Sequence, residues 1–415
     1  RCLYSLQKFT WSNSHLAVYP PKIFSRISRA FPFFILFCCA LAVLLSAVYV
    51  QASTEIPGTT DKICLVPPLS NAIAHYKQIA ARGGWPQVPA GPTLRAGDRN
   101  ERITLLKQRL LVSADLSAPV GEEDFFDEKL TEAVRRFQAR HGLTADGRVG
   151  VNTLRELNVP VGKRIEQLSV NIERCSAMPY PPEQRFILVN IADFTLKLFE
   201  NGNLQLAMSV IVGKKYRQTQ EFTGRISSLV LNPNWNVPRS IAVKDLLPKI
   251  KNNPGYLKRM RIRVLRDGKD GAAIDPATID WGNLSAAHFP YRLQQDPGPG
   301  NALGRIKFVF PNPYDLYLHD TPAQELFKKD TRTFSSGCIR LSKPLELAVY
   351  LLQGTSLSTM ESLTARMSNK KTQWINIPSP IAIYIVYMTA WVDPGGIINF
   401  RSDIYNRDTA SRRPR

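Results

Sequence analysis

"FTLKLFENGNLQLAMSVIVG", residues 194–213, is the stretch on which the fold turns. On both sides of Asn201-Gly202 apolar and polar residues alternate, the period of a strand with one buried face. Asn-Gly supplies the two positive-φ residues of a tight hairpin turn, so the stretch reads as two antiparallel strands. The alternation continues outward. "RFILVNI" (185–191), "RIKFVF" (305–310) and "LYLH" (316–319) are further strand candidates. "IAIYIVYMTAWV" (381–392) imitates a membrane span, but about 12 residues between Pro380 and Pro394 are too few to cross a bilayer. Its Tyr, Ile and Val content and the "DPGG" turn predict a strand in a hairpin with "IINFRSDIY". "SKPLELAVYLLQ" (342–353) predicts a helix with Ser342 as N-cap and Pro344 in its first turn.

Between about 235 and 300 the pattern is irregular and rich in Lys, Pro and Gly, with "SIAVKDLLPKIKNNPGYLKRM" reading as helix. It predicts an insertion over the sheet, either a mobile cover over a site or a plain structural subdomain. Trp235 and Trp281 within it are substrate-facing aromatics or core residues.

Before residue 184 the period is helical. "LSNAIAHYKQIAARGG" is a helix closed by a Gly pair, followed by a Pro/Gly-punctuated linker, within a scaffold at 54–100. Residues 101–160 form a compact three-helix module. Ile103, Leu106 and Leu110 share one face; Leu130, Ala133, Val134 and Phe137 share another; Val151, Leu154 and Leu157 mark the third helix.

The formal charge of +20 (54 Lys and Arg against 34 Asp and Glu) points to an anionic partner or a solvated basic surface. No Lys/Arg cluster with interleaved aromatics supports nucleic acid. Five positive residues (Arg1, Lys8, Lys22, Arg26, Arg29) precede the first acid, Glu55, and then comes "FPFFILFCCALAVLLSAVYVQAS", 31–53. Its apolar part, 31–50, fits a retained membrane anchor or a cleaved signal equally, and either predicts export to the periplasm.

Of six cysteines, Cys2, Cys38 and Cys39 lie in or before that segment, leaving Cys64, Cys175 and Cys338. An odd count leaves a free thiol. A Cys64–Cys175 bridge is conceivable, with Cys338 left over. Cys338 sits in "RTFSSGCIRL" (332–341) as a packing residue, half of a disulfide, a metal ligand or a nucleophile. A nucleophilic thiol needs a base or a positive field. His319, ending a strand in the same domain, is the best placed base; His75 and His288 lie elsewhere, and His141 ends a helix, where capping explains it. Zinc needs close-spaced ligand pairs, and neither C-x-x-C nor H-x-x-x-H occurs; no metal and no cofactor is expected.

Two stretches carry a resemblance. "AVRRFQARHGLTADGRVGVNTLREL" (133–157) resembles the peptidoglycan-binding-domain-1 family in its Phe-Gln pair, its Gly-Leu-x-x-Asp-Gly turn and the following Thr-Leu. "YLHDTP…FSSGCIRL" resembles the catalytic signature of the L,D-transpeptidase (YkuD-like) family, with Ser336 where many members have a second His. The order of parts is similar to the large YcbB-like branch, which also carries Ser there. The implied fold is α+β: a mainly β, mixed-sheet sandwich over 165–410 with an inserted cap, plus the small three-helix peptidoglycan-binding module.

The implied activity is cross-linking of peptidoglycan tetrapeptide stems through a thioester on Cys338, with release of D-alanine. A carboxypeptidase using water on the same thioester, or an inactive wall-binding protein, are the alternatives. The resemblance makes His319 the base, oriented by the backbone carbonyl of Asp320. Gly337 and Cys338 N–H are candidate oxyanion donors. Tyr317 is a helper through its hydroxyl or a packed strand residue. Arg340 pairs with a substrate carboxylate or braces the loop, and Ser336 hydrogen-bonds that loop.

Overall fold

The computed structural model describes residues 66–119, 121–178, 183–253, 255–268 and 271–409. The apolar segment 31–50, with its expected anchoring or cleavage, and Cys64 lie outside the described residues. Among the described residues no helix is long and apolar enough to cross a membrane.

Five helices come first: α1 (Val66–Ala81), α2 (Glu101–Val112), α3 (Glu128–Arg140), α4 (Val151–Leu157) and α5 (Val161–Ser176). Asn100 caps α2 by accepting from Arg102 N, and Asp127 caps α3 by accepting from Leu130 N. Their apolar stripes, with Leu157 of α4, bury one cluster that includes Ile103, Leu106, Leu110, Leu130, Val134 and Phe137. Val151, at the start of α4, is 82% exposed. At 100° per residue it lies roughly 120° around α4 from Leu157, so the two share no face.

Helix α5 was not legible as an element in the sequence reading. It packs on α1, and Leu69, Tyr76, Trp85 and Leu168 bury a cluster with Met388, Ala390 and Phe400 from near the C-terminus. His141 caps α3, its Nδ1 2.7 Å from the Phe137 carbonyl, and its ring stacks on Phe137 and Phe400. Cys175 is disulfide-bonded, and Cys338 is a free thiol.

The main sheet holds β1 (Arg185–Asn190), β2 (Thr195–Glu200), β3 (Asn203–Gly213), β4 (Phe222–Leu231), β9 (Ile306–Val309), β10 (Leu318–His319), β11 (Thr333–Ser335), β12 (Ile339–Leu341) and β13 (Gln373–Val386). Strand order is β11-β3-β12-β10-β9-β4-β13-β1-β2, and β2 also pairs with β3, which closes the sheet on itself. The β2–β3 hairpin turns at Asn201 (φ 50°) and Gly202 (φ 77°), as the Asn-Gly pair predicts. The pairs β1–β13, β10–β12 and β3–β11 are parallel and the rest antiparallel, a mixed sheet. Leu198, Val210, Leu229, Phe308, Leu318, Ile339 and Leu341 fill the main core with helices α6 (Pro344–Leu351) and α7 (Met360–Ser368). Ser342 does not cap α6: the N-cap position falls to Lys343, and the Ser342 N–H instead donates to Ser209 O of β3. The last hairpin is β14 (Ala390–Val392) with β15 (Ile398–Phe400).

Between β4 and β9 the chain builds a separate body. β5 (Trp235–Val237), β8 (Tyr291–Gln295), β6 (Ile262–Arg266) and β7 (Ala273–Ile274) form a four-stranded sheet in the order β5-β8-β6-β7. Its own cluster includes Leu246, Ile250, Val264, Trp281, Phe289 and Leu293, so Trp281 is a core residue. The cap helix is broken. It runs helically over Arg239–Ile241, as a π turn over Ala242–Leu246, and helically again over Leu247–Asn252. Pro248 lacks the N–H that would close the next i→i−4 bond, and the ladder slips to Leu247 N→Ala242 O beside it.

Candidate active site

The register of the main sheet assembles the site. Side chains alternate across a strand, and paired residues share a face. Leu318 pairs with Ile339 and with Phe308, and all three are fully buried on the core face. Their neighbours therefore face the other way. His319 pairs with Arg340 of β12 and Lys307 of β9; Lys307 pairs with Val230 and Arg340 with Ile211. One row across five strands reads Val230, Lys307, His319, Arg340, Ile211. Tyr317 and Cys338, one step back on each side of Leu318 and Ile339, share that face, and the bond from Ile339 N to Tyr317 O, 3.2 Å, joins the two segments.

His319 is buried, and its Nδ1 lies 2.5 Å from the Asp320 carbonyl. A carbonyl only accepts, so in the neutral ring Nδ1 carries the hydrogen and Nε2 is the unprotonated nitrogen; the Leu303 backbone is also within hydrogen-bonding reach of the ring. The Asp320 carboxylate is engaged elsewhere, accepting from Arg305 N (2.8 Å) and Thr321 N (2.7 Å). Burial first, then the Arg340 guanidinium, pushes His319 down to about 3, so the ring is neutral at neutral pH. The Tyr317 hydroxyl is within hydrogen-bonding reach of the Cys338 thiol and of the Trp235 indole at the start of the cap, and burial pushes the phenol well up. Lys307 Nζ lies 3.9 Å from the centre of the Tyr317 ring. Arg340 forms no ion pair among the described residues, and its buried Nε has no acceptor.

Cys338 follows a turn that a second loop holds in place. Gly337 has φ +123°, a backbone conformation that side-chain-bearing residues rarely adopt. Its N–H donates to Ser335 Oγ at 3.1 Å, so of the two expected oxyanion donors only the Cys338 N–H is unengaged among the described residues. The Gly337 carbonyl accepts from Thr219 Oγ1 at 2.7 Å. A trans peptide directs its N–H opposite to its C=O, so fixing that carbonyl aims the Cys338 N–H away from the loop. Thr219 is fully buried, and its Oγ1 also accepts from Gly213 N at 2.9 Å. Thr219→Val is expected to leave two backbone groups without their partner and to lower stability by about 2–6 kcal/mol, at about 1–3 kcal/mol for each orphaned group. Denaturant melts against wild type check this, and a loss under about 1 kcal/mol would refute it.

Ser336, exposed, accepts from Arg217 Nη1 at 2.9 Å. Lys307, Thr219 and Arg217 are the site residues that sequence reasoning missed. Nothing in their local spelling marks them; the alternation "RIKFVF" did put Lys307 opposite the core side of its strand, a signal that needed the pairing register to become useful.

Burial raises the Cys338 thiol above its ordinary value, opposed by Tyr317 hydrogen bonds and by the Lys307 and Arg340 charges. With His319 neutral, the resting pair is thiol and imidazole rather than thiolate and imidazolium. The facing charged groups are Lys307, with Asp315 in its field, and Arg340, with Glu325 in its field. The expected alkylation rate of Cys338 by iodoacetamide therefore keeps rising with pH into the alkaline range. Lys307→Met removes a cation that favours the thiolate and shifts the midpoint further up. A plateau reached between about pH 5 and 7, the mark of an ion pair, would contradict this.

Among the described residues no group of three or more His, Cys, Asp or Glu side chains is placed to hold a metal ion. The arrangement is a thiol, an acceptor imidazole two residues along the adjacent strand, a free N–H, a phenol and two cations on one sheet face.

Residues 184–359 match the family model for the L,D-transpeptidase catalytic domain (YkuD), and residues 99–157 match that of the "Putative peptidoglycan binding domain". The chain thus carries an L,D-transpeptidase catalytic domain of the YkuD family, preceded by a peptidoglycan-binding module. It is similar to a curated protein of Haemophilus influenzae named "Putative L,D-transpeptidase", 37% identical over 243 residues, 59% of this chain and 48% of the relative. The chain spans about half the length of that relative. Among solved structures it is similar to an L,D-transpeptidase from Stackebrandtia nassauensis (13% identity, 72% of this chain and 96% of the other, TM-score 0.27). It is also similar to L,D-transpeptidase 3 of Mycobacterium tuberculosis in complex with a faropenem-derived adduct (12% identity, 49% and 60% covered, TM-score 0.23).

Proposed function

We propose that this protein is a peptidoglycan L,D-transpeptidase that uses Cys338 as nucleophile. The observation that carries the reading is the shared face of Tyr317, His319, Cys338 and Arg340, with the His319 ring held by the Asp320 carbonyl so that Nε2 is free to accept. The family match supports the substrate class, a tetrapeptide stem.

In the proposed reaction Cys338 Sγ attacks the carbonyl of the third stem residue while its proton passes to His319 Nε2. The oxyanion takes hydrogen bonds from the Cys338 N–H and the Tyr317 hydroxyl. Collapse breaks the C–N bond to the terminal D-alanine, whose nitrogen receives the proton from His319, leaving a thioester. The amine of a neighbouring stem then attacks the thioester, gives its proton to His319 and displaces the thiolate, which is reprotonated; the product is a 3→3 cross-link. Arg340, without an acceptor of its own, is placed to take a substrate carboxylate as a bidentate fork. The buried, neutral His319 fits this proton shuttle, since it must accept before it donates.

The inserted cap and the module ahead of the catalytic domain support the YcbB-like branch. The substrate class supports action in the periplasm, with residues 31–50 as signal or inner-membrane anchor. Incubating the protein with tetrapeptide muropeptides and reading products by mass spectrometry tests the reading. Dimers joined through third residues support it; tripeptides alone indicate a carboxypeptidase, and unchanged tetrapeptides a wall-binding protein.

A further inference from the structure

We propose that Arg217 is a positioning residue that ties the cap to the turn carrying Cys338, so that the seating of the cap is read at the nucleophile. This rests on the reading of Cys338 as nucleophile. The guanidinium sits between two bodies. On one side Nη1 donates to Ser336 Oγ at 2.9 Å, two residues before Cys338. On the other, Nη1 and Nη2 both grip the carboxylate of Asp245, the Nη2 contact being 3.2 Å. Asp245 belongs to the π turn Ala242–Leu246 of the cap helix. A π turn inserted in a helix is a costly local choice that recurs at functional positions, and this one carries the carboxylate that pairs with Arg217.

The Arg217 side chain is enclosed, 15% exposed, while that of Asp245 is half-buried at 35%. A fork-shaped guanidinium with two hydrogen bonds to one carboxylate holds direction as well as distance. The cap has its own core and its own sheet, so its position relative to the main sheet is set by few contacts. The turn in its grip depends on others for its shape. Gly337 supplies the unusual backbone conformation (φ +123°), Ser335 Oγ ties the turn internally to Gly337 N and Cys338 O, and, from the same loop as Arg217, Thr219 holds Gly337 O. Arg217 and Thr219, two apart in one loop, thus hold Ser336 and Gly337 from one side, and only Arg217 also reaches the cap. Ser336 has the right chemistry for this. It accepts one charge-assisted hydrogen bond at the position next to Gly337, without placing a second ionisable group beside the thiol.

The connection predicts that a cap residue which touches neither Cys338 nor the turn affects chemistry at Cys338. The test compares wild type, Asp245→Asn, Arg217→Met, Arg217→Lys, Ser336→Ala and the Arg217→Met/Asp245→Asn double variant. Two readouts are used: D-alanine release from a tetrapeptide muropeptide, separated into kcat and KM, and amide hydrogen exchange of the peptides covering 333–341 and 239–252. Asp245→Asn and Arg217→Met are each expected to lower kcat about 10-fold, with KM within about 2-fold. The double variant should be no slower than Arg217→Met alone, because both cut one connection. Arg217→Lys, which keeps the charge but not the fork, should recover part of the loss. Exchange of 333–341 should quicken in Asp245→Asn as in Ser336→Ala, while 239–252 quickens only in the former.

The proposal is overturned if Asp245→Asn loosens 239–252 and leaves 333–341 at the wild-type rate. It is equally overturned if the two single losses multiply in the double variant, or if both variants raise KM with kcat unchanged, which would make Arg217 a cap latch alone. If wild type releases no D-alanine, the proposed reaction fails, and the exchange data still decide whether cap and turn are coupled.

Discussion

Cys338→Ala is expected to abolish both D-alanine release and cross-linked product, a drop of at least about 10⁴-fold, with the fold intact. The chemistry needs a sulfur that leaves as readily as it attacks, and no other described cysteine is free. A thiol is a weak hydrogen-bonding group, and its polar contacts here are Tyr317 and the Asp315 carbonyl at 3.8 Å, so its loss costs little stability. His319→Gln should fall in the same range, because the amide keeps volume and hydrogen bonding but does not take up a proton. The double variant Cys338→Ala/His319→Gln should be no slower than Cys338→Ala, since the two act as one unit. Single-turnover assays with a tetrapeptide muropeptide and intact-mass detection of the acyl-enzyme read all three. A residual rate in Cys338→Ala above about one hundredth of wild type would remove Cys338 from the mechanism.

Tyr317→Phe is expected to lower kcat by about 10²–10³-fold with little change in KM, the usual cost of deleting one oxyanion donor. In the proposed reaction the Cys338 N–H is the other donor, because the Gly337 N–H is spent on Ser335 Oγ, so no spare N–H in the turn compensates. The hydroxyl is also where the cap meets the site, through the Trp235 indole. Trp235→Phe removes that donor while keeping an aromatic, and should therefore cost less than Tyr317→Phe. If Tyr317→Phe instead raised KM and left kcat within about 3-fold, the phenol would be a packing residue under Lys307, not part of the oxyanion site.

Much of the architecture was legible before any coordinates. Period-2 alternation around Asn201-Gly202 marked the hairpin, fixed turn residues marked the helical module, and the cysteine and histidine census singled out Cys338 and His319. These are local signals, each contained within about 20 residues of chain. What was misread was also local but ambiguous. Ser342 looked like a cap but lies one residue too early, since the β12–β3 pairing continues past Leu341 into the Ser342–Ser209 bond. Helix α5 was overlooked because its buried face is completed by α1 and the distant C-terminal hairpin.

By itself the sequence determined the identities that chemistry requires: a thiol in a glycine turn, a strand-end histidine, and an arginine two places on. Only the tertiary structure decided which groups surround them. Lys307 joins the row because β9 pairs in register with β10, and Thr219 and Arg217 because a loop more than 100 residues upstream closes over the turn. It also decided that the Gly337 N–H is occupied. Such pairings are set by strand register and long-range hydrogen bonds, each the outcome of packing the whole core, and no short stretch of chain encodes them.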